Sequence, residues 1–532
     1  MHVSNTGLLR GLLAAGSGWA LLSAGHAMAQ TSPDDTASLR AQVQQLSTLV
    51  QSVSQQDQAQ IAQLKAQVAA LQTRLDQAQA NGTAEPRAAQ NATGDVGIAQ
   101  LPENGEPGRA EPRVVQNSQH RLAFQSADGR YSIGLTGVIQ VDAGDYVDFH
   151  PDSKLTGPQE LSDGVNARRA RIGVTGTADD FAFAFVWDGG NSQDTAAKGI
   201  ETAQIIYTGI KHAAFEVGYS NTFFTLDQST SANDLLFLER ASPSNIATNF
   251  NAGDNRFNVG ARFFGDRYWL GGYFTGPAIG DSHTLTGERF GAFERAAFQV
   301  VKGDDYSLHL GVGLDELIRA PNSGAGTANT LSLSDQPELR IDPTTLLNTG
   351  TIGTTAYPVT GGYVLDLETA AAWRSLFWQG EYYHYSVERA GLADANFDGG
   401  YGQVAWTLTG ETHPYNPQAG SYFRISPAHP FSLKDGGWGA WEIAGRISYV
   451  NLVSNFVSGE ALSADPAAVD GGKQTAYSLG INWYPNDLVR FMVDYSHVDY
   501  QKINGVAASG LPLGTGIGAS FDAISFRAQV AY

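Results

Sequence analysis

The 532 residues include no cysteine and only three methionines. Without a thiol there can be no disulfide framework, no thiolate metal centre and no cysteine nucleophile. Charge is scarce as well. Only 16% of residues are Asp, Glu, Lys or Arg against 42% hydrophobic, which leaves little to cover a soluble surface on a chain this long. The charge present is of the wrong sign for nucleic acid: 33 basic residues face 53 acidic ones, a formal net of −20, so clustered phosphate neutralisation is excluded. The excess is not confined to a tail, because residues 116–532 hold 26 basic and 44 acidic side chains. Long apolar runs are also missing. Beyond the first thirty residues, polar or charged side chains interrupt every apolar stretch, and a membrane helix needs about 20 apolar residues. A membrane location would therefore require a closed β-barrel, the other structure that satisfies its own backbone in lipid.

Catalytic signatures are absent too. No G-x-S-x-G elbow, H-E-x-x-H helix or P-loop occurs, and Gly471-Gly472-Lys473-Gln474-Thr475 lacks the P-loop spacing. Histidines are scattered singly, and His309 and His384 are expected to be structural. No enzyme, cofactor or metal site is expected.

The N-terminus reads as a transport label. Arg10 closes a short basic segment, Gly11 to Leu22 is apolar, and Ala27-Met28-Ala29 supplies small residues for cleavage after Ala29, making 1–29 a signal peptide. From Leu39 the residues Leu39, Val43, Leu46, Val50 and Val53 recur at alternating fours and threes, the spacing of a coiled-coil seam. It resumes as Ile61, Leu64, Val68, Leu71, Leu75 and Ala78 after a stutter at Val53, Asp57 and Ile61, which locally unwinds a supercoil. Residues 30–79 are thus expected to be a self-associating α-helical coiled coil in the periplasm. Residues 80–119 lose all periodicity and are rich in Ala, Gly, Pro, Asn and Gln, as in a flexible linker.

Over 120–532 the period becomes two. Ile133, Leu135, Ile139 and Val141 alternate with Ser132, Gly134, Thr136, Gln140 and Asp142, as when one strand face meets lipid and the other water. Comparable segments fall near 131–143, 167–177, 181–188, 200–209, 213–219, 256–264, 268–274, 291–301, 305–314, 363–373, 376–386, 400–410, 439–450, 474–484, 488–500 and 520–532. The fold class is all-β: an antiparallel transmembrane barrel of about 16 strands, an even number as single-chain bacterial barrels have. Tight turns such as Ala178-Asp179-Asp180, Arg374-Ser375 and Pro485-Asn486-Asp487 alternate with longer loops at 144–166, 220–255, 315–362 and 453–473. That sorting suits short periplasmic turns and long external loops. One connection, 411–438, is long where parity demands a short turn. Phe181, Phe183, Phe185 and Trp187 share a face, as do Tyr477, Leu479, Ile481 and Trp483, consistent with aromatic girdles. Ile524, Phe526, Ala528, Val530 and Tyr532 alternate up to an aromatic end that resembles the assembly signal of outer-membrane barrels.

Several segments resemble one porin family. Asn166-Ala167-Arg168-Arg169-Ala170-Arg171-Ile172-Gly173-Val174 is similar to the second-strand signature of the phosphate-selective porin O and P family, and Phe237-Leu238-Glu239-Arg240-Ala241, Pro427-Ala428-His429-Pro430-Phe431, Gly437-Trp438-Gly439-Ala440-Trp441-Glu442 and Tyr477 to Pro485 follow in order. The resemblance implies a trimeric barrel of 16 strands in the outer membrane, whose third long loop, here 220–255, folds inward to narrow each pore. It also implies lipid and lipopolysaccharide as surroundings and small anions such as phosphate as solutes.

Strand parity places Arg169, Arg171, Arg256, Arg262, Arg446, Arg490 and Arg527 on the lumen face, where guanidiniums can replace an anion's hydration shell. Parity also turns Asp366, Glu368, Glu381, Glu442 and Asp494 inward. The third loop offers Asp227, Asp234 and Glu239, with Arg240 as its one internal basic residue and no lysine, a departure from the phosphate-selective pattern. Those carboxylates could pair the wall arginines, which would then brace the loop. The expected function is diffusion of small hydrophilic solutes through an outer-membrane channel, anion-preferring or else general or carbohydrate-passing. A structural anchor tied to the cell wall by the coiled coil is the reading from another class.

Overall fold

The computed structural model describes residues 113–116, 122–152, 160–190, 199–279 and 287–532, except 304, 323, 325 and 337. The expected signal peptide, the coiled coil and most of the linker lie outside the described residues. Sixteen antiparallel strands form a closed barrel. In chain order they are β1 Tyr131–Pro151, β2 Gly164–Ala178, β3 Phe181–Asp188, β4 Gly199–Tyr207, β5 Ala213–Asn221, β6 Asn255–Phe264, β7 Tyr268–Thr275 and β8 Phe290–Lys302, then β9 Tyr306–Arg319, β10 Val359–Trp373, β11 Leu376–Arg389, β12 Ala395–Thr407, β13 Ala440–Ser454, β14 Val469–Tyr484, β15 Val489–Gln501 and β16 Ala519–Ala531. Each pairs with the next. Every strand expected from periodicity is present, with ends shifted by up to eight residues: the first, expected over 131–143, runs Tyr131–Pro151, and the twelfth, expected over 400–410, runs Ala395–Thr407.

Alternation sets which way each face looks. On β3, Phe181, Phe183, Phe185 and Trp187 are exposed on the outer wall. On β16, Ile524, Phe526 and Val530 are exposed while Arg527 and Gln529 are buried. Lipid cannot hydrogen-bond a free strand edge, so the wall must close. It does so where β16 lies on β1, with Gln529 opposite Gln140, and Tyr532 and Gly137 exchange two backbone hydrogen bonds of 2.8 Å. Past that point the edge of β1 is taken over by Leu122–Gln125, Ala123 pairing with Gly134, and that strand pairs antiparallel with Arg113–Gln116. Among the described residues, no helix is long and apolar enough to cross a membrane.

The apolar core lies within the lumen, not on the outer wall. The 222–254 loop between β5 and β6 carries two helices, α1 Leu226–Ser229 and α2 Ser242–Phe250. Its Phe224, Ile246 and Phe250 are buried with the inward side chains Tyr383 and Tyr385 of β11. The 320–358 loop also turns in, where the Leu339 carbonyl accepts from Tyr146 Oη of β1 at 2.7 Å.

The connection that breaks the short-turn rule, 408–439 between β12 and β13, explains itself by filling space. Its carbonyls at Ala419 and Gly420 accept from Arg295 of β8 at 2.8 and 2.7 Å, and that at Gln418 accepts from Trp269 of β7 at 3.0 Å. Tyr415 and Tyr422 reach His309 and Ser307 of β9, and Ser421 donates to the Ser229 carbonyl at 3.0 Å. All of these wall residues face inward, so the segment enters the lumen from the short-turn end and meets the 222–254 loop. Gly420 makes the bend at φ +58, where a Cβ would lie 3.0 Å from that of Trp269.

Leu479 faces outward on β14, 65% exposed. Leu479→Lys is expected to destabilise the folded barrel by about 2–4 kcal/mol, the cost of a lysine on the lipid face near mid-bilayer. Urea unfolding in lipid vesicles measures it.

Candidate functional site

The geometry of the lumen begins with an irregularity in β2. Pairing with β1 runs regularly to Arg169 opposite Gln140 and then skips, Asn166 standing opposite Asp142. A bulge of this kind turns two successive side chains to one face. Arg168 and Arg169 are consequently both buried inside, whereas simple alternation would send Arg168 out. Arg168 grips the loop carboxylate Glu239 with Nε to Oε1 at 2.5 Å and Nη2 to Oε2 at 2.9 Å. From β16, Arg527 adds a 3.1 Å bond to Glu239 Oε1 and a bidentate pair with Asp142.

That carboxylate fixes one end of a strap. The Leu238 amide donates to Asp494 of β15 at 2.7 Å, the Leu236 carbonyl accepts from Asn482 of β14, the Leu238 carbonyl from Arg527, and the Glu239 carbonyl from Arg446 of β13 at 2.8 Å. At the other end, Glu381 of β11 accepts from the amides of Leu226 and Asp227. The loop is therefore tied to opposite parts of the wall and crosses the lumen. Within it, Arg240 bonds Asp227 at 2.8 Å and the Thr230 carbonyl at 3.0 Å. Asp234 stands 3.9 Å from Arg424 of the inserted turn.

Burial works against the charge on Glu239, but Arg168, through field and hydrogen bonds, and then Arg527 more than offset it, holding the carboxyl well below the usual glutamate range. Arg240 is likewise raised: burial opposes its charge and Asp227 outweighs it. The nearby Asp335 on the 320–358 loop is pushed up to about 6 by burial, against the pull of Arg340.

The seven arginines expected in the lumen divide into two groups. Five are neutralised: Arg171 by Asp188 and Glu201, each at 2.8 Å, Arg256 by Asp315, Arg262 by Glu216, Arg446 by Glu338, and Arg527 by Asp142 and Glu239. Arg169 and Arg490 have no ion-pair partner among the described residues. They end one cross-strand row. Arg169, Gln140, Gln529 and Arg490 are successive partners across β2, β1, β16 and β15. Arg169 donates to Gln140 at 2.7 Å, Gln140 to Gln529 at 2.7 Å, and Gln529 to the carbonyl of loop residue Asn233 at 3.1 Å, which Arg490 also reaches at 3.4 Å. Arg169 Nε and Arg490 Nε and Nη2 are buried without a hydrogen-bond partner, as are the Nε atoms of Arg256, Arg262 and Arg446, so it is the lack of an ion-pair partner that sets Arg169 and Arg490 apart. Arg490 rests over the Tyr484 ring at 4.8 Å.

Alternation alone missed Arg168, because no sequence signal marks the bulge. It also passed over Arg295, which bonds Glu368, Ser229 and the inserted turn, although Phe293, Arg295 and Ala297 share an inward face that parity could have found. Arg340, 2.9 Å from Asp335, lies in a loop with no periodicity to place it.

A closed wall of sixteen strands with a polar, loop-crossed interior defines an outer-membrane porin barrel. Matching the pattern over residues 133–532, the chain belongs to the family described as Phosphate-selective porin O and P. Porin O of Pseudomonas aeruginosa is 25% identical over 409 residues, 73% of this chain and 88% of that protein. An uncharacterized protein of Caulobacter vibrioides is 29% identical over 511 residues, 92% of this chain and 90% of the other. Among solved structures, OmpT of Vibrio cholerae aligns with a TM-score of 0.45 at 11% identity, covering 76% of this chain and 98% of that one.

Glu239→Gln removes the charge that compensates Arg168 and Arg527. Breaking one side of a buried ion pair costs about 3–5 kcal/mol, and denaturant unfolding near neutral pH is expected to show a loss of that order. Because the Glu239 pKa is depressed by folding, its contribution is complete above the unfolded value of about 4.3 and declines as pH falls below it. The gap between wild type and variant should therefore begin to narrow below about pH 4 and keep narrowing well below pH 3, closing only as pH falls through the depressed folded value.

Proposed function

We propose that this barrel is a diffusion channel for small hydrophilic solutes that favours anions, inorganic phosphate among them, and that Arg169 and Arg490 set the preference. The supporting observation is the row of four side chains ending in two guanidiniums without carboxylate partners. A guanidinium with no carboxylate in ion-pair contact offers an anion both charge and directed donors, and the Arg169 and Arg490 groups, at the two ends of the row beneath loop residue Asn233, are of that kind. The other five arginines act as braces, their charge spent on wall and loop carboxylates. The 222–254 loop, through Asp227, Asp234, Glu239 and Arg240, forms the constriction, and the 408–439 turn narrows the lumen from the periplasmic end. The barrel works as a homotrimer among outer-membrane lipids, its heptad segment in the periplasm. That arrangement is supported by the heptad spacing from Leu39 to Ala78.

Planar-bilayer reversal potentials under a potassium chloride gradient test the assignment. The wild-type channel is expected to prefer chloride, and Arg169→Gln and Arg490→Gln to lower that preference several-fold, while Arg171→Gln combined with Asp188→Asn, which removes both partners of one ion pair and no net charge, leaves it near the wild-type value. Cation preference in the wild type, or equal effects of all three variants, contradicts the proposal.

A further inference from the structure

The lumen wall beneath the 222–254 loop carries a group of carboxylates that the anion path does not use. Asp366 and Glu368 are inward neighbours on β10, and Glu381 stands directly opposite Glu368 on β11. All three are buried, and one oxygen from each falls within 4.8 Å of the others. Like charges directly opposite on a sheet repel, and burial strengthens the repulsion. The protein answers only part of it. Glu368 receives Arg295 at 2.9 Å and has His309 Nε2 at 3.0 Å. Glu381 accepts from the Leu226 and Asp227 amides and from the Tyr401 hydroxyl. Asp227 itself is matched by Arg240. Asp366 is wholly buried, and neither of its oxygens receives an N–H or O–H from the surrounding groups; its neighbours are the Glu368 and Glu381 carboxyls. With all three ionised, the one guanidinium of Arg295 would leave two negative charges.

We propose that Asp366, Glu368 and Glu381 form a binding site for a divalent cation of the calcium type, which ties the constriction loop to the wall through Glu381. The donors are all oxygens, as hard cations require. One oxygen from each carboxyl lies within 4.8 Å of the others, a grouping that one ion with oxygen distances of about 2.3–2.6 Å can bridge, and calcium accepts irregular carboxylate sets where magnesium holds to a near-ideal octahedron. The neighbouring strand leaves room for the cluster. Gly311 faces Glu368, and a Cβ there would sit 1.9 Å from Glu368 Oε1. Gly313 faces Asp366, and a Cβ there would meet the Phe224 carbonyl at 1.9 Å. Two charges on the ion cancel the two that Arg295 leaves.

Metal content reads this inference independently of which solute the channel passes. The full chain is folded into detergent free of lipopolysaccharide, equilibrated with calcium chloride, passed through a desalting column and analysed for calcium by mass spectrometry. About one calcium ion per chain is expected in the wild type, with binding in Asp366→Asn weakened at least about tenfold. Glu368→Gln is a second variant should the first fail to fold, and it is expected to lose the ion likewise. A wild-type chain with no saturable calcium binding overturns the proposal whatever the variants do, and it would mean that the trio is neutralised by protons. Undiminished binding in either folded variant overturns it equally.

Discussion

The grip of Arg168 and Arg527 on Glu239 is the interaction on which the interior depends. Around it the 222–254 loop gives its backbone to Asp494, Asn482, Arg446 and Arg527, so one ionised carboxylate fixes a whole segment across the lumen. Such a pair is not a source of large net stability, because taking the ions out of water costs nearly what their attraction returns. Its value is positional. With the charge in place the loop sits where Glu239 reaches both Arg168 and Arg527, and the loop's own ion pair between Arg240 and Asp227 holds α1 in register with Glu381.

Two solvents divide the rest of the molecule. Hydrocarbon outside demands a closed ladder and tolerates only apolar side chains, which yields the Tyr532–Gly137 seam and the outward aromatics. Inside, the barrel is too wide for its own side chains to fill, so three inserted segments complete the core. Two come from the long-loop end and the third, 408–439, from the opposite end. Ser421 on the Ser229 carbonyl joins that turn to the 222–254 loop, which makes the two inserted elements one mechanical unit around Arg295.

How legible was this in the sequence? The strands were readable because lipid and water impose period two on each of them, and residues such as Ile524, Phe526 and Val530 against Arg527 carry the pattern without help. The lumen arginines followed from the same parity, and Glu239 was foreseeable as a loop carboxylate able to pair with them. Arg168 was not, since a bulge is settled by pairing with β1 and by the reach of Glu239, both of which are tertiary. The division of the arginines into braces and free donors was equally hidden: Arg256 and Arg490 look alike along the chain, and only the buried Asp315 across the barrel distinguishes them. The anomalous length of 411–438 was visible as a broken rule, but its path depended on Trp269, Arg295 and His309 on strands far off in sequence. The predicted coiled coil lies outside the described residues.

On the proposed function, selectivity rests on the few charges left over after bracing, to which net composition is a poor guide. Asn233, at the junction of loop, Arg490 and Gln529, then lies in the proposed path of the solute. The chain has no native cysteine, so Asn233→Cys provides a single thiol there. The most direct measurement is single-channel current in that variant before and after modification with a negatively charged thiosulfonate reagent. The account predicts a marked fall in anion current once the thiol is labelled. Current unchanged after labelling confirmed by mass would contradict it.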